Sequence, residues 1–134
     1  LRCTLEIAVA VFALQLLGNA ALAATDDHLD CVRIKDPLKS KAVVDLITTR
    51  YGEEKNCKVK VKSTMLCTPA TKSLIDSTAP SVVYEGETLT NSKLCYKVKC
   101  GKVDHPDPNV FDQFGLRPIR DLQPKLVCTP ASVF

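Results

Sequence analysis

The sequence predicts an all-β domain: a small disulfide-stapled sandwich or partly open barrel built from two duplicated halves. Three observations carry that expectation. Runs such as Lys58-Val59-Lys60-Val61-Lys62 and Tyr96-Lys97-Val98-Lys99 alternate basic and apolar residues, the period-2 pattern of a sheet with one wet face. Eight prolines, with scattered Asp, Asn and Gly, cut the chain into short runs. The cysteines, finally, recur in two ordered sets. Seven or eight short strands follow from this punctuation. Helix signals are thin: Lys41 to Arg50 is long enough for a turn or two, but Val43, Val44, Ile47, Thr48 and Thr49 favour extension.

The first element is not part of that domain. Of the first 23 residues, 17 are apolar. Arg2 supplies a positive charge, Ile7 to Leu17 an apolar run broken only by Gln15, Gly18 and Asn19 a helix break, and Ala21-Leu22-Ala23 small residues at the cleavage positions. The run is too short for a bilayer core of about 30 Å. Residues 1–23 therefore read as a cleaved signal peptide, and residues 24–134 as a single all-β domain that is secreted, periplasmic or held at the cell surface. Contact with a membrane is expected only through the uncleaved signal.

Cleavage would remove Cys3 and leave six of the seven cysteines: Cys31, Cys57, Cys67, Cys95, Cys100 and Cys128. An even number in a short exported chain reads as a disulfide framework. Zinc is the competing reading, but there is no Cys-x-x-Cys pair, and neither His28 nor His105 has a histidine partner one helical turn away.

The chain also repeats itself. Asp30-Cys31-Val32-Arg33-Ile34-Lys35 opens one stretch and Leu66-Cys67-Thr68-Pro69-Ala70 closes it. Leu94-Cys95-Tyr96-Lys97-Val98-Lys99 opens a second, and Val127-Cys128-Thr129-Pro130-Ala131 closes it with the same Cys-Thr-Pro-Ala tetrad. Midway, Arg50-Tyr51-Gly52 corresponds to Gln113-Phe114-Gly115. The internal repeats span residues 29–70 and 94–131. Each is about 40 residues, a size at which a core alone rarely suffices, so the two are expected to share one. Residues 71–93 join them, and Ser81-Val82-Val83-Tyr84 reads as a short strand within that joint. Tyr51 with Gly52, and Phe114 with Gly115, read as core plugs at turns.

Strand alternation selects a pairing among 15 possible disulfide maps. Tyr96, Val98 and Cys100 share an apolar face, whereas Cys95 lies with Lys97 and Lys99 on the other. Cys31 likewise lies with Arg33 and Lys35. The repeat then pairs opening with closing cysteines, Cys31 with Cys67 and Cys95 with Cys128. Cys57 faces inward with Val59 and Val61, so a Cys57–Cys100 bridge would clamp the two stretches together.

The Cys-Tyr-Lys-Val-Lys opening, the Asp112-Gln113-Phe114-Gly115 centre and the Leu126-Val127-Cys128-Thr129-Pro130-Ala131 close resemble an uncharacterised family of exported bacterial cysteine-containing repeat domains. The resemblance covers most of residues 29–131; the first stretch departs at its centre, with Thr49-Arg50-Tyr51-Gly52. It implies a secreted module found in tandem or appended to larger exported proteins. It implies no reaction, no cofactor and no functional residue.

Chemistry read from the residues is correspondingly sparse. A nucleophilic triad needs a histidine base; His105 sits beside two acids in Asp104-His105-Pro106-Asp107-Pro108, which reads as a rigid exposed loop rather than a catalytic site. Asp26-Asp27-His28-Leu29-Asp30 groups oxygen ligands, yet lacks the glycine and ordered spacing of a calcium loop and reads as a solvated acidic tail. Lys58, Lys60, Lys62, Lys97 and Lys99 form basic stripes. They read first as solvated strand faces that discourage edge-to-edge association, and alternatively as a surface for an acidic polymer. Stacking aromatics are too few for nucleic acid, since only Tyr96 interleaves. The expectation is an exported structural or adhesive binding module, not an enzyme, without cofactor, whose partner would be a cell-surface polymer or another exported protein. The alternative is a small secreted effector, either a hydrolase inhibitor presenting residues 101–110 or a weak enzyme.

Overall fold

The Lys-Val alternation at 58–62 is the middle of one long strand. In the computed structural model, which describes residues 26–102 and 104–134, the elements are β1 (His28–Arg33), β2 (Ser40–Thr48), β3 (Gly52–Ala70), β4 (Ser92–Lys99), β5 (Asn109–Asp112), β6 (Gly115–Pro118) and β7 (Leu126–Ala131). The signal peptide read over 1–23 lies outside the described residues. The domain is all-β, with no helix among the described residues.

Strand β3 organises the rest. It is 19 residues long, far beyond the short strands expected. Its first half pairs with β2 and its second half with β1, while β4 runs along the opposite edge and β7 flanks β4. All pairings are antiparallel. The sheet stays open, because the β1/β2 edge and the β7 edge do not meet, so no barrel closes. β5 and β6 form a separate two-stranded hairpin.

A strand this long does not keep one register: it is bulged against both β2 and β4. Against β2 the register shifts between Val44 and Leu46, where Asn56 adopts φ 55°, a left-handed conformation that Asn tolerates better than most residues. Its N–H donates to Asp45 Oδ1 at 2.8 Å. Against β4 the register shifts again on either side of Ser63. The Ser63 N–H freed there donates to Asp36 Oδ2 at 2.7 Å, and its hydroxyl reaches the Cys95 carbonyl at 3.0 Å. The donated N–H groups of Ser63 and Leu38 hold the Asp36 carboxyl below its usual range.

These bulges decide which residues face inward. The small core is Cys57, Val59 and Val98, flanked by Ala42, Val44, Leu46, Val61, Tyr96, Cys100 and Val127. It draws on both repeat stretches, and the Cys57–Cys100 disulfide crosses it. The other two bridges are Cys31–Cys67 and Cys95–Cys128, each joining residues that stand directly opposite on neighbouring strands. These are the three pairs that strand alternation selects. Three disulfides are typical of extracellular and other oxidising compartments.

The stretches share their cysteine pairing and their aromatic-glycine turns but not a strand pattern. In the first, the β2–β3 hairpin stays in the main sheet because β3 runs unbroken into its closing cysteine. In the second, residues 119–125 interrupt the chain, and the β5–β6 hairpin stands apart. The joint also differs from expectation: Ser81–Tyr84 is not a strand. Val83 is 91% exposed, and the segment is tethered by the Val82 N–H donating to the Gln113 carbonyl at 2.8 Å.

Candidate functional site

Two surfaces collect chemistry on opposite faces of the sheet. On the core side, the bulge at Asn56 turns Glu54 and Cys57 to the same face, although three residues apart they would otherwise point apart. Glu54 is 8% exposed. A buried carboxylate requires a partner, and His105 provides it: Nε2 donates to Glu54 Oε1 at 2.5 Å. Tyr51 stacks at a tilt on the same imidazole, with ring centroids 4.9 Å apart. Loop residues Ile119 to Pro124 complete an open cleft of about 440 Å³ above this group.

This corrects one expectation and adds a residue. His105 is not on a freely exposed loop; its side chain is 5% exposed, and the Ile119 N–H donates to the Pro108 carbonyl, pinning the end of the segment. Glu54 carried no sequence signal, because its partner lies 51 residues away and only the bulge brings it inward. Glu54 also lies near Cys57 and Cys100, the three ligand atoms within 4.8 Å of one another. Both sulfurs are spent in a disulfide, so neither is a thiolate able to hold a metal.

On the opposite face, cross-strand register merges the lysine stripes into one field. Lys58 stands directly opposite Lys99, and Lys60 directly opposite Lys41; Lys62 and Lys97 extend the same alternation. All six are exposed. Like charges directly opposite one another destabilise a sheet. No carboxylate pairs with any of the six among the described residues, where the one Lys–acid ion pair is Lys55–Glu53. Lys41 belongs to no alternating run, so sequence alone did not assign it to the field. Tyr96 packs against the core instead.

The remaining candidates are structural. Asp26 and Asp27 do not form a solvated tail but a strap over the joint. Thr71 Oγ1 donates to Asp26 Oδ1 at 2.7 Å, the Leu89 N–H donates to the Asp26 carbonyl, and the Gly86 N–H donates to Asp27 Oδ2. That last bond chiefly lowers the Asp27 pKa. Both aromatic-glycine pairs close hairpins, with Gly52 and Gly115 at φ 75° and 99°, a region that glycine enters freely. Phe114, however, is not a core plug. It is 41% exposed, with the Lys72 ammonium 5.6 Å above its ring. Arg117 grips Asp112 beside it through two bonds of 2.7 and 2.8 Å, and this holds the Asp112 carboxyl down at about 2.

Compared with family models, curated proteins and solved structures, the chain matches none.

Proposed function

We propose that the chain is an exported, disulfide-stiffened binding module whose lysine face contacts an acidic polymer. The observation that carries this reading is the direct cross-strand opposition of Lys58 to Lys99 and of Lys60 to Lys41. A solvated face gains nothing from like-charge pairs, and a fold that keeps them forgoes up to about 1 kcal/mol for each. A polyanion laid across three strands would neutralise them together and release its counterions. The disulfides cross-link the strands that carry the field, which lowers the ordering cost on binding.

Retention on immobilised heparin, and binding to a soluble acidic polysaccharide across a salt series, test the reading. Changing Lys58, Lys60 and Lys99 to Gln is expected to lower retention and flatten the salt dependence well beyond the effect of changing Lys35, Lys39 and Lys102. Equal effects from the two triple variants would reduce the field to a solvated face.

The Glu54–His105 pair favours a second reading, the small secreted effector. A carboxylate-oriented imidazole at the floor of a cleft is the minimal equipment of a general base. It is secondary because no nucleophile signature accompanies it.

A further inference from the structure

The Cys31–Cys67 and Cys95–Cys128 bridges are not merely parallel staples. Cys67 Sγ lies 3.6 Å from Cys95 Sγ. Neither sulfur carries a proton, so this is a contact between two disulfides rather than a hydrogen bond. Because β1, β3, β4 and β7 are neighbours in that order, the four sulfurs follow one another across the sheet as Cys31, Cys67, Cys95 and Cys128. The two inner residues are 2% and 1% exposed, and the two outer residues are exposed.

From this row we propose that the two bridges form a thiol–disulfide relay that passes a reducing equivalent from one edge of the sheet to the other through a Cys67–Cys95 intermediate bond. An external low-molecular-weight thiolate attacks the sulfur of Cys31, an exposed residue. A mixed disulfide forms on Cys31, the Cys31–Cys67 bond breaks, and its electron pair leaves on Cys67. The Cys67 thiolate then attacks Cys95. A Cys67–Cys95 bond forms as the Cys95–Cys128 bond breaks, and Cys128 leaves as a thiolate at the far edge, where water protonates it. One S–S bond forms for each that breaks; the entering thiolate is the reductant, its equivalent ends on Cys128, and no further redox partner is required.

Three features support the inner step. The leaving sulfur, Cys128, lies on β7, on the far side of β4 from the attacking strand. The attacker already sits in contact with its target, so the step is intramolecular and carries the rate advantage of proximity. Burial disfavours a thiolate at Cys67, but Lys93 stands directly opposite it on β4, and a neighbouring cation favours that form. The Cys57–Cys100 bridge lies among the core residues and takes no part.

The C31S variant leaves Cys67 as an unpaired thiol without any reductant. After equilibration at mildly alkaline pH, acid quench, alkylation and peptide mapping, label is expected on Cys128 at a level comparable to Cys67, together with a Cys67–Cys95 cross-linked peptide. In C31S/C67S, which lacks the attacker, Cys128 label is expected to fall to background. Label confined to Cys67 in C31S, with Cys95–Cys128 intact, would overturn the relay. Should C31S fail to fold, the native chain treated with limiting 2-mercaptoethanol gives the same reading. The relay yields the adduct on Cys31, the Cys67–Cys95 peptide and labelled Cys128. Stepwise loss of one bridge without the new peptide refutes it, as does scrambling that includes Cys57 or Cys100.

Discussion

Replacing both Cys57 and Cys100 by Ala removes the bridge that crosses the core, and the size of the effect follows from the structure. The bridge closes a loop of 43 residues. Neither of the other two bridges shortens that path, because each leads from inside the loop to a residue outside it. Loop-closure entropy for such a loop is worth about 4 kcal/mol at 25 °C. Cys57 is fully buried, and the space left by its sulfur adds about 1 kcal/mol. With a urea m-value of about 1.5 kcal/mol/M, the midpoint is expected to fall by about 3 M. The other bridges close loops of 36 and 33 residues, for which the same logarithmic dependence gives nearly equal entropic losses. Cys67 and Cys95 are as buried as Cys57, so removing the core bridge should cost the most only by a small margin, set by the half-buried Cys100 against the exposed Cys31 and Cys128. Equilibrium urea unfolding of the three double-alanine variants measures this. A loss below about 1 kcal/mol for the core bridge, or a smaller loss than for either of the others, would refute the argument.

Two further outcomes are expected. Asp112 should titrate at about 2 by NMR, with its Arg117 partner as the first cause; since the folded value lies below the ordinary aspartate value of 3.8, its stabilising contribution is complete above pH 4 and fades as pH falls through about 2, and D112N should abolish that acid-range change in hairpin shifts. H105A should leave Glu54 buried without its donor and destabilise the fold by on the order of 3 kcal/mol, readable by urea unfolding, whereas E54Q/H105A should recover much of the loss; an H105A variant as stable as the native chain would contradict the buried pair.

Much of the frame was legible in the sequence because its signals are local. Alternation places Cys95 with Lys97 and Lys99 and Cys100 with Val98, and together with the repeat, which pairs opening with closing cysteines, that sorts six cysteines into three bridges. The aromatic-glycine pairs mark turns because a left-handed position selects glycine. Legibility ends where the alternation loses phase. At Asn56 and around Ser63 the bulges change which parity faces the core, so strict counting neither brings Glu54 inward nor joins the segments on either side of Ser63 into one strand. Val82 and Val83 look like a strand, but the joint finds no edge to pair with. His105, Asp26 and Asp27 gain their roles from partners dozens of residues away. Lys41 enters the lysine field only through the register of β2.

The bridges also set how the molecule bears load. Tension applied beyond β1 and β7 enters at Cys31, crosses to Cys67 and leaves by Cys95 and Cys128. Between those entry and exit points the shortest covalent route does not follow the joint. It runs back along β3 to Cys57, across to Cys100, and back to Cys95, a path of about 15 residues that can extend to about 50 Å at most. The β2–β3 turn, the whole joint and the β5–β6 hairpin hang off this route as slack loops that carry no force. However hard the ends are pulled, the covalent length gained is short, and the lysines of β3 from 58 to 62 lie on the segment that stays taut.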